Sequence, residues 1–239
     1  LEFGSPSSGN VAIGNYIGVA ASGSAQLGAG GSLTLRGSGN IVGGDTASER
    51  NLVAVNIAIV AGGSNRVIGN YVGVDAAGSS PINSGGGEIT IDSAGGNEVG
   101  GDQPGEGNVI ATSMSLLGTC FACAPNLIRG NLVGTDATGT TTITSASPRL
   151  LVELDEAVFG GSTTGAGNVF APLKAGAPFP GAELYVAASA ENLTFEGNLL
   201  GVTRSGDYGP SHTQGLTILG SSNTFGGSSP SDPVPSRNR

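Results

Sequence analysis

The sequence has no tryptophan and few of the residues that active sites and nucleic-acid interfaces most often use. Its 239 residues include one histidine, one methionine and two cysteines, and only 11% of them are charged. The nine basic residues form no cluster and the net charge is −9, so the electrostatic footprint of a nucleic-acid-binding protein is missing. No apolar run approaches the ~20 residues of a transmembrane helix, and no signal peptide is recognisable. We therefore expect neither a nucleic-acid partner nor a membrane span.

The two cysteines, Cys120 and Cys123, form a single C-x-x-C pair, which provides too few ligands for a structural zinc site. The single histidine, His212, is distant in sequence and lies near no recognisable nucleophile motif. Because the βαβ context of a thioredoxin-like redox site is also missing, we expect a local disulfide or two packed thiols on one loop. The acidic, Ser/Thr-rich and lysine-poor composition fits an extracellular or cell-surface protein.

Glycine, in contrast, is abundant, with 44 residues. A high glycine content can indicate disorder, but disorder also requires few apolar residues and a high charge density. Here 38% of the residues are hydrophobic, and short runs of Val, Ile and Leu recur along the chain. We therefore interpret the glycines as turn residues of a protein with a packed core.

A dipeptide of Gly followed by Asn or Gly recurs every 26 to 37 residues, and its second position alternates strictly between Asn and Gly. These two residue types adopt the left-handed backbone conformation more readily than others. The pattern predicts one bend that is repeated in every rung of a solenoid. The residues of this predicted turn column are Gly14, Asn15, Gly43, Gly44, Gly69, Asn70, Gly100, Gly101, Gly130, Asn131, Gly160, Gly161, Gly197, Asn198, Gly226 and Gly227.

Short alternating stretches such as Leu33-Thr34-Leu35 and Ile89-Thr90-Ile91 precede the bends, and such alternation between turn residues is the signature of a β-strand. Strands this short bury a face only when they stack as parallel neighbours about 4.8 Å apart. The sequence therefore predicts an all-β, right-handed parallel β-helix of about eight rungs, each of roughly 30 residues, with almost no helix. Leucine-rich repeats and a β-propeller are less suitable alternatives, because the Leu framework and the aromatic-rich antiparallel blades are absent.

Two kinds of rung alternate to give a double unit. It reads N-x-x-I-G-N-Y-I-G-V/T-D-x-x-G followed by G-G-x6-N-V-I, and Asn51, Asn108 and Asn168 each lie eight residues after the first glycine of a Gly-Gly rung. This pattern resembles the right-handed β-helix repeats of large bacterial secreted and surface proteins and, more distantly, the pectate-lyase-like superfamily. The resemblance covers residues 10 to 230 and implies an architecture that serves lyases, hydrolases, adhesins and inert stalks alike.

The expected domain organisation is simple. Residues 1–5 resemble translated cloning sites, so we set them apart from the fold. We expect residues 6–235 to form a single β-helix domain from a longer protein, because the repeat begins and stops in mid-pattern. Open solenoid ends would leave strand edges unpaired, which predicts end-to-end homo-oligomers.

Aspartates follow several bends, namely Asp45 and Asp102 after Gly-Gly, and Asp75 and Asp136 after G-N-x-x-G. Stacked carboxylates can bind Ca²⁺, which takes about six to eight oxygen ligands. No tight D-x-D-x-D cluster occurs, however, and partners two rungs apart would be separated by about 10 Å. We therefore expect no resident cofactor and local bonds from Asp to the turn backbone, with these four residues as the candidates if Ca²⁺ binds.

Alignment on the bends places Arg36, Asp92, Glu153 and Leu219 in one column on alternate rungs. Asp92 and Glu153 would then lie about 10 Å apart, at the upper limit for an inverting glycosidase. Because Asp155 is close by in sequence, Asp92, Glu153 and Asp155 are the candidate catalytic residues if the chain is an enzyme. We expect instead a solvated acidic face that keeps the sheet from pairing with other chains.

The sequence favours a non-catalytic extracellular repeat module that serves adhesion or scaffolding and contacts a polysaccharide or another cell-surface ligand. The alternative is a polysaccharide lyase or glycoside hydrolase of the pectin-active β-helix type. A lyase would need a basic residue, and the only lysine, Lys174, lies in a Pro/Gly-rich segment, 172–180. We interpret this segment as a tolerated insertion.

Overall fold

The structure is a computed structural model and describes residues 1–4, 7–28, 30–82, 86–120, 122–143, 149–171, 184–206 and 216–226. Within these ranges the chain forms 23 β-strands and no helix. In chain order the strands are β1 (Glu2–Phe3), β2 (Val11–Ala12), β3 (Tyr16–Ile17), β4 (Ser32–Leu35), β5 (Ile41–Val42), β6 (Leu52–Val53), β7 (Asn56–Val60), β8 (Arg66–Val67), β9 (Tyr71–Val72), β10 (Ile89–Asp92), β11 (Glu98–Gly100), β12 (Val109–Ile110), β13 (Ser113–Leu117), β14 (Asn126–Arg129), β15 (Leu132–Val133), β16 (Arg149–Val152), β17 (Ala157–Gly160), β18 (Val169–Phe170), β19 (Leu184–Val186), β20 (Thr194–Glu196), β21 (Leu199–Leu200), β22 (Leu216–Ile218) and β23 (Thr224–Phe225).

Every third strand belongs to the same sheet, and neighbouring strands within each sheet are parallel. The first sheet runs from β1 through β4 and β7 to β22, and the second from β2 through β5 and β8 to β23. The third sheet runs from β3 through β6 and β9 to β21. The first two sheets have eight strands each and the third has seven, which confirms the predicted all-β parallel β-helix of about eight rungs.

The interior is filled by columns of apolar side chains, because successive strand residues point alternately inward and outward. In the first sheet, the buried Ile57 stacks on the buried Ile89 of the next rung. In the second sheet, the rings of Phe159, Phe195 and Phe225 stack in sequence, with centroids 4.4 and 4.5 Å apart. Each apolar side chain removed from water in this way contributes about 1.5–3 kcal/mol to folding.

The first strand begins inside the segment 1–5 that the sequence analysis set apart from the fold. Glu2 pairs with Thr34 and Phe3 with Leu35. The carboxylate of Glu2 also accepts a 2.9 Å hydrogen bond from Nε of Arg36. Glu2 and Phe3 therefore pair with the first sheet, while the origin of segment 1–5 stays a prediction.

The Gly-containing pairs do not form the single bend column that the sequence predicted. Gly100 pairs with Arg129, the residue before Gly130, and Gly160 likewise pairs with Glu196. The first glycine of all eight pairs has a φ between 64° and 103°, the left-handed range that favours glycine. The asparagines at the second position do not adopt this conformation, so the left-handed residue of each pair is its first glycine.

The Gly-Gly and Gly-Asn pairs are out of line by one residue because two kinds of corner alternate between the second and third sheets. Val42 pairs with Val67, and Leu52 pairs with Tyr71. The chain therefore advances ten positions at this corner in one rung, from 42 to 52, and four positions in the next, from 67 to 71; we call the first kind a ten-residue or long corner. Asn51, directly before Leu52, thus occupies the same column as the asparagine of the shorter corner.

This column is a ladder of seven asparagines, one before each of the seven strands of the third sheet. The side-chain nitrogen of each donates to the side-chain oxygen of the next at 2.8–3.0 Å. The same nitrogen also donates to a backbone carbonyl of the preceding rung, as from Asn108 to Val67 at 2.8 Å. The members are Asn15, Asn51, Asn70, Asn108, Asn131, Asn168 and Asn198, and all but Asn15 are fully buried.

A second asparagine ladder, which the sequence analysis did not identify, lies at the corner before the second sheet. Its side-chain nitrogens donate to the next side-chain oxygen at 2.9–3.2 Å. Its members directly precede or begin a second-sheet strand, and this position is the sequence signal that identifies them. They are Asn10, Asn40, Asn65, Asn97 and Asn126.

Replacing Asn108 by alanine is expected to destabilise the solenoid by about 3 kcal/mol, because buried partners lose their hydrogen bonds without gaining water. The backbone N–H of Asn70 and the carbonyl of Val67 are the groups left without this partner. Urea unfolding followed by circular dichroism measures the change. Asn15→Ala, at the exposed first rung, is the matched control and should cost less than about 1 kcal/mol. Equal losses at the two positions would contradict the importance of burial in the ladder.

Candidate functional site

The outer face of the third sheet carries a second apolar cluster, separate from the interior. Tyr71, Val109 and Leu132 stack there on three successive rungs. Although they point away from the interior, each is at most 8% exposed. Loops that fold back over this face account for their burial.

The covering loops follow the third-sheet strands of alternate rungs, and each closes as a hairpin. The hairpin bridges pair Val19 with Gln26, Val74 with Pro81 and Thr135 with Thr142. The loops also stack on one another across two rungs. The backbone N–H of Ala137 donates to the carbonyl of Gly78 at 2.8 Å, and that of Arg204 donates to Gly139 at 2.8 Å. This stack of hairpins forms one raised wall along the sheet.

The ten-residue corners form a second stack of loops at the other side of the same face. The hydroxyl of Thr163 donates to the carboxylate of Asp102 at 3.1 Å, which links two of these corners. A side chain at Gly105 would have no room, because its Cβ would lie 1.9 Å from the carbonyl oxygen of Asp45. Glycine is therefore required where the long corners pack on each other.

A cleft of about 440 Å³ opens between the two stacks of loops. Tyr71, Val109 and Leu132 line it as an apolar floor, and glycines of the long corners expose backbone groups along one wall. Arg50 and Arg204 also line the cleft. The site therefore combines an apolar surface, backbone hydrogen-bonding groups and two cations.

Arg50 is held in place by the aromatic ring beneath it. Its guanidinium carbon lies 4.0 Å from the ring centre of Tyr71, which is within the range of cation–π attraction. Its Nε donates to the backbone carbonyl of Gly69 at 3.3 Å. Within the described residues, its Nη1 and Nη2 make no hydrogen bond, so the outer edge of the guanidinium is available to a ligand.

Arg204 reaches the cleft from the wall of hairpins. Its stem lies over Gly139, where an added Cβ would come within 2.8 Å of the Arg204 Cδ. Its Nη1 donates to the carbonyl of Thr138 at 3.5 Å, a long and weak bond. The absence of a side chain at Gly139 therefore provides the space in which this arginine lies.

The charges in the cleft are mostly unpaired. Arg50 and Arg204 form no ion pair with any carboxylate that the structure describes, in contrast to Arg36 and Arg66. The lining residues include one carboxylate, Asp102. Hydrogen bonds from the side chains of Gln103 and Thr163 outweigh the effect of burial, and with the charge of Arg129 they lower the pKa of Asp102. Asp102 is therefore ionised at neutral pH, and its two oxygens are occupied by these donors.

The three candidate catalytic carboxylates lie elsewhere. Asp92 pairs with Leu117, and Glu153 follows Val152 one rung further on, so the apolar Leu117 separates the two acids within their column. Asp155 accepts a 2.8 Å hydrogen bond from the backbone N–H of Glu191 in the next rung. Asp92, Glu153 and Asp155 do not line the cleft.

The candidate calcium ligands make local contacts. Asp75 accepts hydrogen bonds from the backbone N–H groups of Ser79 and Ser80, and Asp136 accepts them from Thr140 and Thr141. Asp45 and Asp102 belong to the long corners, two rungs apart. In the described ranges, no group of three or more His, Cys, Asp or Glu side chains is arranged to hold a metal ion.

The remaining sequence candidates are placed as follows. Cys120 and Cys123 are joined by a disulfide on the loop between β13 and β14. Lys174, His212 and Gly227 lie outside the described residues. The described part of the chain contains no helix that is long and apolar enough to cross a membrane.

The sequence analysis did not identify Arg50 or Arg204 as site residues. Arg50 directly precedes the ladder asparagine Asn51, and two rungs later Gly107 occupies the equivalent position before Asn108. Arg204 occupies the position in its loop that Ala137 has in the hairpin two rungs earlier. The sequence does contain a signal for these two residues, because each is an arginine at a repeat position where an equivalent rung has glycine or alanine.

Comparisons with known proteins found no family model that matches the chain, and no curated protein or solved structure with significant similarity to it.

Replacing Asp136 by asparagine is expected to lower stability at pH 7 by up to about 1 kcal/mol, because a screened charge–amide interaction is lost. Although burial opposes its ionised form, bonds from Thr138, Thr140 and Thr141 lower the pKa of Asp136. Its contribution is therefore complete above the ordinary carboxyl pKa of about 4 and disappears as the pH falls through its lower folded value. Thermal unfolding of wild type and variant at pH 7, 5 and 2 measures this. A difference that remains unchanged at pH 2 would contradict the role of the charge.

Proposed function

We propose that the chain is a non-catalytic, ligand-binding segment of a right-handed β-helix from a bacterial extracellular or cell-surface protein. In this role it serves adhesion or scaffolding and contacts glycans. The cleft on the third sheet is the observation that carries the proposal, because it combines an apolar floor with polar groups suited to a ligand. Its walls are loops fixed by stacking on neighbouring rungs, so the binding surface is formed in advance.

The carboxylate geometry supports binding over glycoside hydrolysis. Two catalytic carboxyl groups stand about 5–5.5 Å apart in retaining glycosidases and about 6.5–9.5 Å apart in inverting ones. The cleft has one carboxylate, Asp102, and both of its oxygens accept hydrogen bonds. Asp92 and Glu153 are two rungs apart, which corresponds to about 10 Å. The single carboxylate of the cleft and a separation at the upper limit of the inverting range both support binding over hydrolysis.

An extracellular location has independent support. Disulfides persist in oxidising compartments and are rare in the cytosol. The chain joins its two cysteines in one disulfide and carries a net charge of −9. The resemblance of the double-rung pattern to repeats of secreted and surface proteins agrees with this location.

The proposal predicts glycan binding without turnover. The whole chain would be tested on a glycan array and, in parallel, against a polysaccharide panel that includes polyuronates, with and without Ca²⁺. The expected result is retention of some glycans and no shortening of any polymer, measured by size-exclusion chromatography and reducing-end release.

Two results would overturn this proposal. Product formation that Asp92→Asn or Glu153→Gln abolishes would make the chain a polysaccharide-active enzyme. An array without any bound glycan would make it a spacer.

A further inference from the structure

We propose that the cleft between the two loop stacks binds an acidic oligosaccharide, with Arg50 and Arg204 pairing with its carboxylate or sulfate groups. This inference rests on the proposed function and specifies the ligand chemistry of the same site. It concerns the loop-covered face of the third sheet, whereas the candidate catalytic acids lie on and after strands of the first sheet.

The charge of the cleft differs from that of the chain as a whole. The chain has 18 acidic and nine basic residues, yet two of its arginines line one cleft without a carboxylate partner among the described residues. The lining contains one carboxylate, Asp102, so it carries two cationic groups against one anionic group. The cleft is therefore locally cationic on an acidic protein, which favours an anionic ligand and disfavours a cation.

The two arginines are placed so that their guanidinium groups can meet an anion. Arg50 is fixed over the Tyr71 ring and bound through Nε to Gly69, so its two terminal nitrogens form a preorganised edge. A guanidinium edge matches the two oxygens of a carboxylate or sulfate and binds them through charge-assisted hydrogen bonds. Among the described residues, the guanidinium of Arg204 makes one hydrogen bond, the 3.5 Å bond to Thr138, so pairing with an anion would require the loss of one weak bond.

The size and walls of the cleft suit a short saccharide. Its volume of about 440 Å³ lies in the range of small-ligand sites. Val109 and Leu132 close the bottom of the cleft and are almost fully buried, and the glycine-rich wall presents backbone donors and acceptors to the hydroxyl groups of a sugar. The strands beneath are paired on both sides, so no free edge is available to add an acidic peptide as a further strand.

Matched ligands test the charge requirement. Isothermal titration calorimetry in EDTA would compare an oligouronate, its fully methyl-esterified form, and a sulfated and an unsulfated oligosaccharide of equal length. The acidic ligands are expected to bind at least about 10-fold more tightly than their neutral counterparts, with affinity falling as salt rises. The uronate and sulfate arms identify which anion is preferred, and tight binding of either one supports the proposal.

Matched variants test the residues. Arg50→Gln and Arg204→Gln are each expected to weaken binding of the preferred acidic ligand about 10-fold, and Arg50→Lys is expected to weaken it less, since it keeps the charge but loses the planar edge. Asp102→Asn is expected to strengthen binding severalfold, because it removes the opposing charge. The control is Arg36→Gln, which changes the net charge equally but lies on the first sheet beside Glu2, and it should alter affinity by less than about twofold.

The outcomes separate the two proposals. Equal affinity for acidic and neutral ligands would overturn the inference and leave glycan binding in place. The same holds if Arg50→Gln and Arg204→Gln bind the acidic ligand as tightly as the wild type does while both variants keep the wild-type unfolding temperature. Failure of every saccharide to bind would overturn the proposed function itself. Arg50→Gln could unfold the protein because Tyr71 loses its covering cation. In that case the other two variants test the inference, since Arg204→Gln is expected to weaken binding of the acidic ligand and Asp102→Asn to strengthen it.

Discussion

Each buried ladder asparagine uses its side-chain amide as donor and acceptor at once, and this interaction holds the rungs in register. The third-sheet strands have only two residues each, so backbone pairing alone gives them few bonds. An amide that contacts the rung above and the rung below adds a fixed point at the corner. Because it is buried, a shift by one residue would leave its partners unpaired. The aligned apolar columns depend on this constraint.

A fixed corner also permits loops of unequal length. The ladder asparagine occupies the same position whether the step between the second and third sheets takes four residues or ten, and added loop length has a small entropic cost. Because long corners occur in every second rung, they stack on each other, as the hairpins of the intervening rungs also do. The cleft is the space that these two stacks leave over the third sheet.

The fold could be predicted because its chemistry repeats, as in the alternating strand Ile89–Asp92 and the regularly spaced glycines. The corner register could not, because Gly43-Gly44 and Gly69-Asn70 look equivalent in sequence, whereas the structure aligns Asn51 with Asn70. The candidate site was also missed. Arg50 and Arg204 are remote in sequence, and a search for repeated or clustered residues passes over two single substitutions that only the stacking of loops brings to one cleft.

Equivalent rungs separate the residues that fold this solenoid from those that give it a specific surface. The long corner forms with Gly107 where another rung has Arg50, and the hairpin forms with Ala137 where another has Arg204. Neither arginine is therefore required for its loop to fold. Among the described residues neither arginine has a carboxylate partner, so neither gains stability from an ion pair. The repeated asparagines therefore hold the rungs together, whereas the two arginines that depart from the repeat are the groups to which the proposed anionic ligand would bind.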